Sequence, residues 1–187
     1  MPLTILDPQT ALIVVDLQKG LAGLMQSDMF DAVVERSSAL TRAFRARGLP
    51  VVLVTVDGMA PGRTEQPPRF KGAFPPGFAD VIGELDPQPD DIRVTKQTWG
   101  AFATTDLEAR LKALGVTQVV VTGVATGTGV EATARQAYEA GFNVTLAIDA
   151  MADPRAEAHE HSIAQVFPRL GETGTADGIL TLLKGRG

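Results

Sequence analysis

Ala11-Leu-Ile-Val-Val-Asp16 decides the fold. A short, unbroken apolar run rich in β-branched residues and closed by a charge is the pattern of a strand buried on both faces of a parallel sheet. The pattern recurs at Val51–Val56, more weakly at Ile92–Thr95, and again at Val119–Thr122 and Val144–Ile148. Five core strands are therefore predicted. Between them the apolar residues switch to helical spacing. From Met29 to Arg47, Phe30, Val33, Val34, Leu40, Ala43 and Phe44 share a face, and Gly48-Leu-Pro50 stops the helix. Asp106 to Leu114 reads similarly, with Leu107, Leu111 and Leu114 at helical spacing and Gly115 as the stop. A third helix is expected over Thr128–Ala140, with Val130, Ala134, Ala137 and Tyr138 inward. A fourth follows Asp153-Pro154, a cap-then-proline start, and runs to Val166. Ala176–Lys184 reads as the last. This alternation specifies a doubly wound α/β fold, a parallel sheet of five or six strands with helices on both faces.

With 187 residues, 44% hydrophobic and 21% charged, the chain is the size of a single domain, 1–187, with one ordinary core. A net charge of −5 spread over both signs, with no long basic run, argues against a nucleic-acid partner. Neither a signal peptide nor an apolar stretch of roughly 18 residues is evident, so no membrane partner is expected and the expected location is the cytoplasm. Zero cysteines exclude disulfides, thiolate metal sites and cysteine nucleophiles. The two histidines, His159 and His161, stand two apart on the fourth helix, on different faces, and read as structural. Asp57 to Phe78, rich in proline and without a clear period, reads as a long loop of the kind that forms lids or binding loops, with a disordered excursion as the alternative.

In an open parallel sheet, ligands bind beyond the carboxyl ends of strands, where strand order reverses. Three segments put chemistry there: Asp16 after the first strand, Lys96 after the third, and Thr122-Gly-Val-Ala-Thr-Gly-Thr-Gly129 after the fourth. A carboxylate at the end of an apolar strand is partly desolvated, and Lys96 could be its cation. The alternative makes Asp16 a turn cap and Lys96 a solvated charge. The glycine-rich turn fits neither G-x-G-x-x-G nor a P-loop, so a nucleotide is a poor match. Its N–H groups could instead hold a carboxylate or a developing oxyanion. Trp99 and Phe102, after Lys96, either wall a pocket or join the core.

Together, Val14-Val-Asp16-Leu-Gln18, Thr95-Lys96-Gln-Thr-Trp-Gly-Ala-Phe102 and Gly123-Val-Ala-Thr-Gly-Thr-Gly-Val-Glu-Ala-Thr-Ala-Arg135 resemble the isochorismatase-like hydrolases. The resemblance runs from about Thr10 to the end, through Asp149-Ala-Met-Ala-Asp153 and His159. Most members use an Asp, Lys and Cys triad. Asp16 and Lys96 match the first two, and the cysteine position falls on Gly129, which removes the covalent thioester route. True isochorismatases also carry glycine there. In that branch the aspartic acid protonates the vinyl ether methylene of isochorismate and water captures the oxocarbenium ion. The resemblance thus implies catalytic roles for Asp16, Lys96 and Gly129, with Gln18, Trp99, Phe102, Val124, Ala125 and Thr128 around a small-molecule substrate.

It further implies a cis peptide at Val124-Ala125, aiming a carbonyl or N–H at the substrate, and a homo-oligomer, either dimer or tetramer. Zinc-binding members use an Asp-x-His pair after the second strand. Asp57-Gly-Met59 stands here instead, so neither metal nor cofactor is expected. This chain has Ala125 where the isochorismatase branch has tyrosine, and Gly127 near a histidine position; Arg63 and Arg69 are candidate replacements for that branch's loop arginine. Thr126 and Thr128, lacking a base, read as backbone caps. The expected function is cofactor-independent hydrolysis of a small molecule, with vinyl ether hydrolysis first. The rivals are water-mediated amide or ester hydrolysis, and a binding or scaffold protein that lost catalysis with its cysteine.

Overall fold

A computed structural model describes residues 3–66 and 73–185. Six parallel strands, β1 (Thr10–Val15), β2 (Val51–Val56), β3 (Ile92–Lys96), β4 (Gln118–Val124), β5 (Asn143–Ala152) and β6 (Glu172–Gly174), lie in the order β3-β2-β1-β4-β5-β6. The chain walks outward from β1 to β3 and returns to the other side of β1 with β4, so the strand order reverses between β1 and β4. Every residue of β1 is buried, as its continuous apolar run requires. Its side chains alternate between two cores. Ala11, Ile13 and Val15 join one; Leu12 and Val14 join the other.

Helices cover both faces. Helix α1 (Lys19–Ala22) is a single turn after β1, and α2 (Ser27–Ala46) buries Phe30, Val33, Val34, Leu40 and Phe44 against one face. Helix α3 (Leu107–Ala113) and α4 (Glu131–Glu139) cover the opposite face through Leu107, Leu111, Ala134 and Ala137. Helix α5 (Ala156–His161) continues through a π-helical turn, Ser162–Val166, and α6 (Ala176–Lys184) packs Ile179 and Leu183 beside α2.

The sequence reading differs in detail. Strand β6 was not predicted: it has three residues, all half-buried, and so carries no apolar run. Strand β3 includes Lys96, and β5 runs on to Ala152 through a register shift against β4 between Val121 and Gly123. Tyr138 is exposed rather than inward, and Leu114 is exposed as well. Leu114 lies just past the end of α3, and Tyr138 is on the outer side of α4. Among the described residues no helix is long and apolar enough to cross a membrane.

Candidate active site

The chain leaves β1 through Asp16 in the left-handed region, at φ 57°. A short polar side chain tolerates this conformation better than a branched one. Lys96, the last residue of β3, is 1% exposed, and its Nζ donates to Asp16 Oδ2 at 2.8 Å and to the Thr98 carbonyl at 3.2 Å. Asp16 Oδ1 is buried without a hydrogen-bond partner. Burial pushes the Asp16 carboxyl up to about 6, while the charge and hydrogen bond of Lys96 pull in the opposite direction. Desolvation outweighs a cation in direct contact because the cation satisfies only one oxygen. Neither residue is the solvated surface group of the alternative reading.

The third segment packs beside Asp16. At Gly123, φ is 112°, and a Cβ would collide with the Val15 carbonyl, so only glycine lets β4 pass β1 there. The Val124–Ala125 peptide is cis. A π-helical turn, Thr126–Val130, then leads into α4. Gly129 lies against the carboxylate: a Cβ built there would stand 3.0 Å from Asp16 Oδ2 and 3.2 Å from the Val124 carbonyl oxygen.

Two contacts from the β5–α5 segment hold this turn. Gly127 N–H donates to Asp153 Oδ2 at 2.8 Å, and Thr126 Oγ1 lies 2.8 Å from His159 Nδ1. Thr126 is therefore a cross-link to α5 and not a backbone cap, whereas Thr128 Oγ1 donates to the Ala125 carbonyl at 3.4 Å. The N–H groups of Thr128 and Val130 also go to that carbonyl. With Gly127 spent on Asp153, three amides of the turn are already occupied.

Asp16, Lys96, Val124, Ala125, Thr128 and Gly129 meet at the floor of a cavity of about 250 Å³. Its walls are apolar. Leu21, Leu24 and Met25 come from α1 and the turn after it; Met59, Phe74 and Phe78 come from the long loop; Trp99, 66% exposed, stands at the side. Phe74 and Phe78 stack with ring centroids 4.3 Å apart. The loop reading holds to this extent: the described part of 57–78 forms no strand or helix, and both of its ends supply cavity residues.

Two expected substrate contacts lie elsewhere. Gln18 is fully buried, with its amide Nε2 donating to the Val56 and Phe78 carbonyls and its Oε1 accepting from Val56 N–H at 2.7 Å. It clamps the two ends of the long loop together and is absent from the cavity wall. Phe102 belongs to the core, tilted against Phe142 at 6.0 Å, because the chain turns inward after Trp99. Arg63 is exposed and does not line the cavity, and Arg69 lies outside the described residues. Sequence reasoning missed the α1 wall, although Leu21, Leu24 and Met25 are spaced as one helical face. It also missed the Thr126–His159 link, which no local pattern announces. Among the described residues no three of His, Asp and Glu are grouped to hold a metal.

Comparison with known proteins places this geometry in context. A family model, the isochorismatase domain, matches residues 10–178. The isochorismatase family protein YwoC of Bacillus subtilis (strain 168) is 35% identical over 94% of this chain and 95% of its own length. The family protein YecD of Escherichia coli O157:H7 is 38% identical, covering 93% and 96% respectively. The structure of an isochorismatase family protein from Burkholderia thailandensis superposes with a TM-score of 0.90 at 37% identity, over 96% of this chain and 98% of that one.

Proposed function

Because the chain belongs to the isochorismatase family of hydrolases, we propose that it hydrolyses a small vinyl ether by proton transfer from Asp16, with water as the nucleophile. The observation that carries the reading is the half-satisfied, buried carboxyl of Asp16. A carboxyl with a pKa of about 6 is protonated in roughly a tenth of molecules at neutral pH and is still a strong enough acid to deliver that proton.

In the proposed reaction the Asp16 O–H proton passes to the terminal methylene, forming a C–H bond and leaving an oxocarbenium ion. Water adds to the oxocarbenium carbon, the one bonded to the ether oxygen, and returns a proton to Asp16. The hemiketal then breaks its C–O bond to release a ketone and an alcohol. Lys96 holds Oδ2 in place and steadies the carboxylate that remains after proton transfer. The vinyl ether reading needs no side chain at position 129, and Gly129 leaves the space beside Asp16 to substrate and water. The apolar walls keep bulk water from competing for the proton.

The test is turnover by the purified protein of isochorismate, uncharged vinyl ethers, and small amides and esters, with Asp16→Ala alongside. Vinyl ether hydrolysis that disappears in the variant is the expected result. Amide or ester turnover alone would replace the reaction by water-mediated acyl hydrolysis, and no turnover of any compound would move the protein to the class of binders.

A further inference from the structure

We infer that Thr133 and Gln136, on α4, are positioning residues: they tie the segment after β3 to the π-helical turn and so fix the Lys96 ammonium on Asp16. Any part they play in a reaction rests on the function proposed above, and they act through Lys96 rather than on a substrate. Thr133 is fully buried. Its Oγ1 donates to the Gly129 carbonyl at 2.7 Å and accepts from the Ala101 N–H at 3.2 Å. The first bond alone would be ordinary, since threonines in helices often bond back to the carbonyl four residues earlier. The second reaches a segment 32 residues away in sequence. A hydroxyl donates and accepts at the same time, so one side chain serves both bonds.

Gln136 stands one turn further along the same face of α4, and its Oε1 accepts from the Phe102 N–H at 2.9 Å. Two consecutive amides of the segment are thus held by two side chains of one helix. A Cβ at Gly100 would collide with the Gln136 amide, so glycine there admits the close approach. The held segment carries the second acceptor of Lys96: Nζ donates to the Thr98 carbonyl at 3.2 Å as well as to Asp16 Oδ2 at 2.8 Å, and Thr98 Oγ1 donates to the Gly100 carbonyl at 3.2 Å. The contacts close a ring. From Asp16 it runs through Lys96, Thr98, Gly100 and Ala101 to Thr133, and from there to Gly129, which lies against Asp16 Oδ2. A Thr98 carbonyl fixed in this way holds the ammonium where Asp16 meets it, and slack in the segment would let Lys96 draw away.

The experiment follows the Asp16 carboxyl carbon by NMR against pH in the full-length protein, with Asp16→Asn to assign the signal. Lys96 is the charged group acting on this carboxyl and lowers its proton affinity, so loosening Lys96 should raise the titration midpoint. In Thr133→Val, which keeps the shape and removes the hydroxyl, the midpoint should rise from about 6 by about half a pH unit or more. Thr133→Ser should restore the wild-type value. Thr41→Val controls for lost stability, because Thr41 is equally buried and its Oγ1 donates to the Ser38 carbonyl at 2.9 Å within α2; there the midpoint should stay at the wild-type value. Gln136→Met, at a half-buried position, should raise the midpoint by less, and it carries the test should Thr133→Val not fold. A wild-type or lowered midpoint in either folded variant would overturn the inference, as would an equal rise in Thr41→Val. Where a compound is turned over, the pH above which the rate falls should move up with the midpoint. If the midpoint rises but no compound is turned over, the inference stands and the hydrolytic reading falls.

Discussion

Strand β3 has a buried carboxylate in an ion pair at each end, and the two pairs are built differently. Just before its amino end, Asp91 accepts from Arg45 Nε on Oδ1 at 3.0 Å and from Arg45 Nη2 on Oδ2 at 2.7 Å, and Gln88 N–H adds a third donor at 2.7 Å. At its carboxyl end, Lys96 touches one oxygen of Asp16 and leaves the other bare. A planar guanidinium satisfies both oxygens of a carboxylate at once; an ammonium is a point donor. The first pair ties α2 to the start of β3. The second leaves a carboxyl whose proton affinity is raised at the one edge of the sheet where the strand order reverses. Both carboxylates are buried, and the number of hydrogen bonds on the acid separates the tie from the candidate reaction centre.

The largest expected effect comes from exchanging the acids for amides. Asp16→Asn should lower kcat by about 10²–10⁴-fold, the usual worth of a positioned acid or base, in a protein with wild-type circular dichroism. Asp91→Asn should leave kcat within a few-fold and lower thermal stability instead. Equal losses of activity in both would erase the distinction. The complementary substitution is Arg45→Met, which leaves Asp91 buried and unpaired. Removing one partner of a buried pair costs about 3–5 kcal/mol, and about 3 kcal/mol is expected here because Arg45 is partly exposed. Urea unfolding should show that loss, with activity per folded molecule unchanged.

The raised pKa of Asp16 sets a pH signature. Its folded value of about 6 lies above the ordinary 3.8, so the native state holds the proton more tightly than the unfolded chain. Stability from this group is present below pH ~4, is lost as pH rises towards ~6, and is level above that. The loss is on the order of 2–3 kcal/mol. Other carboxylates titrate in the same window, so the measurement is the difference in unfolding free energy between wild type and Asp16→Asn. That difference should move against the wild type as pH rises. The rate should fall about tenfold per pH unit above ~6, as the acid form is depleted. A rate rising through that range would mean that Asp16 acts as a base.

The parallel strands were readable because burial on both faces leaves nothing but apolar residues between the turns, as in Ala11–Val15. The pairing of Asp16 with Lys96 was readable for a related reason: a charge closing such a run must sit at the sheet's edge, where charges from neighbouring strands meet. Gln18 and Phe102 were misplaced because residue type does not report direction. An amide close to Asp16 serves a loop as readily as a ligand, and an aromatic after Lys96 serves the core as readily as a wall. The Thr126–His159 contact joins residues 33 apart in sequence and depends on how α5 lies against the π-helical turn, which no periodicity encodes. Strand β6 takes its identity from pairing with β5 rather than from its own composition.

The smallest effect tests whether the bare carboxyl depends on its neighbour having no side chain. In Gly129→Ala the new methyl would stand 3.0 Å from Asp16 Oδ2 and 3.2 Å from both the Val124 carbonyl oxygen and Val15 Cγ1. Backbone and a buried strand residue give little, so Asp16 has to move and its contact with Lys96 has to lengthen. Overpacking of this kind costs about 1–3 kcal/mol, and the low end is expected because one methyl is added beside a side chain that can rotate. Activity should fall more than stability, by roughly tenfold for a little over 1 kcal/mol of transition-state stabilisation. Gly129→Cys meets the same crowding and should gain no amidase activity. Wild-type rate and stability in Gly129→Ala would show that Asp16 tolerates a neighbour, and the contrast between the two ends of β3 would then rest on Lys96 alone.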